Sequence, residues 1–453
     1  NGSTVTSVYG GNNSGGTTTT THVTTDTSNI TNLFGGGDNA ISTTSNITIL
    51  GGSITNAYGG GNEAGVTNTY LRISGGSVDS AFGGSNQNGN IDASHITVAG
   101  GSINQLFGGN NLGGTTTKTD IQSTGGNVHV IYGGGNKAPV GETTLVLDAV
   151  TSDTIYGGGN EAIVSGDVSL TISNATINQN VFGGGNAAGV NGEVSLVLDN
   201  STVGGNVYGG GNEGIVQQDT DVYISSSSIG ANAYAGGNGA TAIVYGNSTI
   251  TIDGTTVVGS SSTSAPNAGC VFGSGNAAAT GQDGSSSVAT VNIVGGEFFG
   301  NVYGGAKMSV VYGTTETNIG TSIVNNNSLT ESDIHIHGTV FGGGESNASG
   351  STTYDYTFIS VTDGITVNID GTGYEENHHD FIINGSIFGS GNASSSSGDS
   401  YVNIKNLGSM SKPNRAISIQ RANRLVIDSS AIELMGTTDR TNELSDFVYS
   451  LNM

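Results

Sequence analysis

Ile155-Tyr156-Gly157-Gly158-Gly159-Asn160 is one copy of a phrase that runs through almost the whole chain. An aliphatic or Ala residue, then Tyr or Phe, then Gly recurs. Its aromatic falls at Tyr9, Phe34, Tyr58, Phe82, Phe107, Tyr132, Tyr156, Phe182, Tyr208, Tyr234, Phe272, Tyr303, Phe341 and Phe388. The first ten lie 24 to 26 residues apart; the last four follow at 38, 31, 38 and 47, so the unit continues with insertions. A fixed period in this range means one supersecondary unit per repeat, stacked on its neighbours because none can bury its apolar side alone.

Each repeat holds a short alternating strand ahead of the phrase, as in Ile47-Thr48-Ile49, Leu71-Arg72-Ile73, Leu145-Val146-Leu147 and Ile250-Thr251-Ile252. The outer two side chains point into a core and the middle one into solvent. A Gly-Gly or Asx corner follows (Gly51-Gly52, Gly75-Gly76), then a second apolar position (Ile54, Val78, Ile103), then the phrase. Three short strands and three corners per repeat are expected. No window carries a 3.6-residue period, and Gly, Thr and Asn are weak helix formers. The expected fold is therefore all-β: a single right-handed parallel β-helix, or β-solenoid, with 24–26 residues per coil and irregular insertions in the C-terminal half. Fourteen coils at a strand spacing of about 4.8 Å give a rod on the order of 70 Å long. Residues 1–235 read as a regular array, 236–395 as coils with inserted loops around 256–270, 306–333, 346–363 and 372–383, and 396–453 as degenerate terminal coils.

The residue after the aromatic is Gly in 13 of the 14 repeats, with Ala235 the exception, which calls for positive φ or close approach of the coil above. Four residues after the aromatic, Asn stands in 11 of 14 repeats, among them Asn62, Asn86, Asn111, Asn136 and Asn160. Stacked amides can hydrogen-bond along the coil axis as a ladder. Tyr and Phe fill the aromatic column seven times each, so the column reads as a stacking spine whose ring edge is expected to reach a corner or water. Lys137 and Glu161 fall on adjacent coils, and Asp148 and Asp199 on alternate coils with Ser173 between.

With 35 acidic and 10 basic residues the formal charge is −25, and six of the bases lie in the last 50 residues. A nucleic-acid interface needs a basic stripe and anionic lipid needs basic clusters, so both are excluded for residues 1–400. Cys270 is the only cysteine, so there is no disulfide framework. No apolar run approaches the roughly 20 residues of a membrane span. Tyr9 comes too early for a full coil before it, and the ends read as uncapped. That is expected of part of a longer chain, or of ends that self-associate.

The chemistry of β-helix polysaccharide lyases and hydrolases needs clustered carboxylates beside a base or cation. The regular array offers only Arg72, Lys118 and Lys137, far apart, and no nucleophile elbow, phosphate loop or His-Glu-x-x-His. An enzyme of this kind is the alternative to a non-catalytic role, and a self-assembling extracellular fibre subunit is a third. An ice-binding lattice is disfavoured by the mixed outward column Thr48, Arg72, Thr97, Gln122, Val146, Thr171, Val197. The one polar concentration lies among the insertions: Asp333, His335, His337, Glu375, Glu376, His378, His379 and Asp380. His335 and His337 face the same way on a strand, a spacing compatible with a metal such as calcium or another divalent cation.

Val207-Tyr208-Gly209-Gly210-Gly211-Asn212, with its alternating Thr/Val/Ile strands, resembles the repeats of adhesin-like β-helix surface proteins of bacteria. The resemblance covers nearly the whole chain. It implies a secreted or cell-surface protein that projects from the cell and meets a glycan or protein surface.

Overall fold

The computed structural model describes residues 4–261, 269–324, 332–346, 359–374, 378–408, 414–416, 418–434 and 449–452. The fold is an all-β parallel β-solenoid. Among the described residues there is no helix, and so none long and apolar enough to cross a membrane. Two compact units are present: Asn1–Thr202 with Gly211–Gln218, and Val203–Gly210 with Asp219–Met453. Glu375 and Glu376 lie outside the described residues.

In the first unit the triplet Ile47-Thr48-Ile49 is the end of an eight-residue strand, Ser42–Ile49. The second apolar position and the aromatic share one six-residue strand, Ser53–Tyr58. Most coils of this unit therefore have two strands where three were expected. The long strands pair in parallel and in strict register, Ile47↔Leu71↔Ile96↔Ile121↔Leu145↔Leu170↔Leu196. The short strands keep Ile54↔Val78↔Ile103↔Val128 above one another. Three strands per coil do appear from Val168–Ser173 onward, where Thr176–Ile177 and Val181–Phe182 are separate. One added residue explains the break: Thr151 to Tyr156 spans six positions and Thr176 to Phe182 seven. An unpaired extra residue disrupts a ladder locally.

The second unit has a long-strand ladder of its own, Ile250↔Val291↔Thr317↔Val367↔Val402↔Leu425. Gly313–Ile319 belongs to this ladder, although the sequence placed it in an insertion. Its inward residues Thr315 and Thr317 are fully buried but polar, which hides the alternation. Phe381–Ile383 likewise pairs with Ile334–Ile336, although the sequence placed it in the insertion over 372–383.

The phrase glycines are selected by close approach. None of Gly35, Gly59, Gly133 or Gly157 has a left-handed backbone. A Cβ on Gly133 would fall on the carbonyl oxygen of Gly157 in the next coil, and one on Gly59 on that of Gly83. Left-handed φ is needed instead at the corner, at Gly52 (88°) and Gly76 (78°) and, one position earlier in a later coil, at Asn174 (52°).

The aromatics stack as expected. In the first unit, centroids from Tyr9 to Phe182 are 4.7–5.0 Å apart with ring planes within 10°. In the second, Tyr208 through Phe388 stack at 4.6–5.0 Å. Each such pair contributes about 0.5–1.5 kcal/mol beyond its area. The phenols do not all reach water: Tyr234 and Tyr303 are fully buried, and the Asn232 and Asn301 side chains donate to their hydroxyls at 3.4 and 3.0 Å. Burial pushes the phenols of Tyr58, Tyr156 and Tyr208 up to about 12.

The Asn column is the expected ladder, Asn86→Asn62, Asn111→Asn86, Asn136→Asn111 and Asn160→Asn136 at 2.8–2.9 Å. Asn318→Asn292, Asn368→Asn318 and Asn403→Asn368 form a second ladder on the outward face of the second unit, at 2.9–3.1 Å. A buried hydroxyl column was not anticipated. Thr69, Ser94, Thr119 and Thr143 each donate to the carbonyl of the glycine 14 residues on, at 2.6–2.9 Å. Lys137 and Glu161 pair at 3.6 Å, half exposed, an arrangement worth about 0–1 kcal/mol.

Gly133→Ala should lower stability by about 1–3 kcal/mol through overpacking. Gly15→Ala, where an added Cβ meets nothing within 4 Å, should stay within about 0.5 kcal/mol. Denaturant melts of the two variants check this, and equal midpoints would refute the close-approach account.

Candidate functional site

Ile334–Ile336 lies between Gly296–Phe298 and Phe381–Ile383 in a parallel ladder. Strand alternation buries Ile334 and Ile336 and leaves His335 facing outward, with His337 exposed just beyond. The two imidazoles share a face, as the spacing indicated. His337 Nε2 is bonded to Glu297 Oε1 at 3.0 Å, whereas His335 Nε2 lies 3.9 Å from Asp380 Oδ2, beyond hydrogen-bond reach, and is buried without a hydrogen-bond partner. The His337 ring also stacks on Phe299 at 4.8 Å. His379 Nδ1 meets Asp333 Oδ1 at 3.3 Å, and the Asp380 amide donates to the same oxygen at 2.9 Å. His378 is exposed with a left-handed φ of 63°.

The segment carrying His379 is pinned to the coil. Tyr374 is buried, donates its hydroxyl to the Val294 carbonyl at 2.7 Å and meets Phe381 edge-on at 4.9 Å. The His379 amide donates to the Tyr374 carbonyl at 2.8 Å. Beside this segment runs an open groove of about 390 Å³, lined by Thr255, Thr256, Val257, Gly296, Glu297, Ser332, Asp333, His335 and His379. Ser332 Oγ donates to the Gly254 carbonyl at 2.5 Å and Thr256 Oγ1 to the Asp253 carbonyl at 2.8 Å. Both hydroxyl protons are thus committed to the backbone, and neither hydroxyl is aligned as a nucleophile on an imidazole.

The backbone N–H of Asp380 holds the Asp333 carboxyl below the usual range, helped by the His379 side chain. Among the described residues no group of three His, Cys, Asp or Glu side chains is arranged to hold a metal ion. Of the described side chains expected to surround a cation, His337 and His379 pair with separate carboxylates, His335 Nε2 makes no hydrogen bond, and His378 is exposed.

Such pairs also occur on the regular coils, where sequence reading did not look for them. His95 Nδ1 lies 3.3 Å from Asp120 and His129 Nδ1 lies 2.7 Å from Asp153. Each partner is one coil on, 25 and 24 residues away. The pairing is therefore an ordinary device of this surface, and the groove is what sets the inserted region apart. Glu297, Ser332 and Thr256 were missed because the insertions remove the fixed period that would have aligned Glu297 with His335.

Compared with known proteins, the chain matches no family model, no curated protein and no solved structure.

Because the Asp333 pKa is depressed on folding, the stability it contributes is present above its unfolded value and lost as pH falls through the lower folded value. The loop contact should therefore survive acidification below pH 3.8, the ordinary value for the group. An NMR titration of the Asp333 carboxyl carbon reads this directly, and a midpoint at or above 3.8 would contradict it.

Proposed function

We propose that this chain is a non-catalytic, adhesin-like β-solenoid of a bacterial cell surface or extracellular space, mediating attachment to a glycan or protein surface or spacing between surfaces. The observation that carries the reading is the contrast, among the described residues, between repeated coils and a built irregularity. Most coils present similar columns of short polar side chains, which serve presentation better than chemistry. The groove beside Asp333, His335 and His379 breaks that uniformity, and its wall is held by the buried Tyr374. Selective contact belongs where a regular surface is interrupted. The acidic composition, with its net charge of −25, supports solubility outside the cell and disfavours nucleic acid as a partner. The resemblance of the Val-Tyr-Gly-Gly-Gly-Asn repeats to adhesin-like surface proteins points the same way.

The test is an adhesion assay with beads carrying the whole chain or a loop-exchanged variant. In the variant, residues 371–380 are replaced by Gly-Thr, the corner found at Gly254-Thr255. Val257 and Ile382 occupy the same ladder position through Glu297 and His335, so this corner bridges the same gap. The variant should melt as a solenoid and lose most bead attachment to target cells. Unchanged attachment would remove the groove from the reading. Turnover of an anionic polysaccharide with added calcium would replace the reading with an enzymatic one.

A further inference from the structure

The groove's lining is dominated by hydrogen-bond acceptors. Asp333 and Glu297 are acceptor-only when ionised. Each has one oxygen held by an imidazole, with 56 % and 40 % of the side chain exposed. Ser332 has given its proton to a backbone carbonyl, so its oxygen offers lone pairs. With the imidazoles neutral, His379 carries its proton on Nδ1 toward Asp333, which makes its Nε2 an acceptor as well. No Lys or Arg lines the groove. A ligand that fits must bring several donors and positive charge. An ammonium group has three donors and no acceptor. A divalent metal, by contrast, needs converging ligands, and among the described residues none converge in threes.

We propose that the groove between Glu297, Ser332, Asp333 and His379 binds the ammonium group of a primary amine, as carried by an amino sugar or a linear polyamine. This rests on the reading of the groove as the contact site and names the chemistry of what it contacts. Val257 gives the lining an apolar side chain for the ligand's carbon skeleton. N-acetylation of the ligand removes both its charge and two donors, so acetylated ligands should be rejected.

The experiment is calorimetric titration of the whole chain with three probes: a glucosamine disaccharide, its N-acetylated counterpart and spermidine. The free-amine disaccharide or spermidine should bind, and the N-acetylated disaccharide should bind at least on the order of tenfold more weakly. Whichever amine binds more tightly identifies the source. Glu297→Gln and Asp333→Asn, which keep shape and an acceptor oxygen, should each weaken amine binding by on the order of tenfold while the solenoid stays folded at the titration temperature, Asp333→Asn with a lowered melting temperature because the ionised Asp333 carboxylate contributes to stability. Equal binding of the acetylated and free disaccharides, no binding of any probe, or binding unaffected by both substitutions would overturn the proposal. If attachment in the bead assay still depends on the groove while no amine binds, the ligand class falls and the attachment reading stands.

Discussion

Parallel strand pairing spaces successive coils by about 4.8 Å, and almost every other feature follows from that distance. A side chain at a given position has a counterpart of the next coil directly above it. Only groups that tolerate a close copy of themselves can fill a column. Flat rings do so by stacking, and the Tyr/Phe column keeps centroids 4.6–5.0 Å apart within each unit. Primary amides do so by donating one way and accepting the other, as in Asn86→Asn62. Like charges do not, so Asp148 stands over Ser173, which in turn stands over Asp199. Lys118 and Lys137 sit over Glu142 and Glu161.

The same spacing sets the demands on the backbone. Where the phrase turns, the chain passes so close to the carbonyl of the next coil that only hydrogen fits on the α-carbon, and Gly133 beneath Gly157 is the clear case. A carbonyl in that crowded position still needs a donor. The interior threonines and serines supply it from the opposite strand, as Thr119 does for Gly133. A polar side chain in the core is stabilising here because it satisfies a group that would otherwise be buried unpaired. Val168 and Val194 take the equivalent position in two later coils, so the column is adaptable.

Histidine–carboxylate contacts between adjacent coils are one more answer to the same constraint, since an outward imidazole accepts a carboxylate above or below it. In the inserted region this habit is combined with a loop that Tyr374 ties down, and the result is a concave surface rich in acceptors. A repeated pairing rule with a local insertion gives a site without any new fold element. The loop's wall depends on a buried phenol whose hydroxyl donates to the Val294 carbonyl, two residues from Gly296 of the lining.

Residues one period apart had to be neighbours once the 24–26 residue repeat was recognised. The all-β solenoid, the aromatic stack, the Asn ladder and the Lys137–Glu161 pair were therefore legible in the sequence alone. The outward-facing pair His335 and His337 was legible too, because strand alternation is local. Contacts that join different parts of a coil carry no such period. The pairing of Thr119 with the Gly133 carbonyl, the choice between positive φ and close approach at the phrase glycines, and the merging of Ile54 and Tyr58 into one strand were decided by the tertiary structure. Register across the insertions was decided there as well. Glu297 meets His337 across 40 residues and Asp333 meets His379 across 46, because loops of unequal length erase the repeat while the ladder beneath them keeps its spacing.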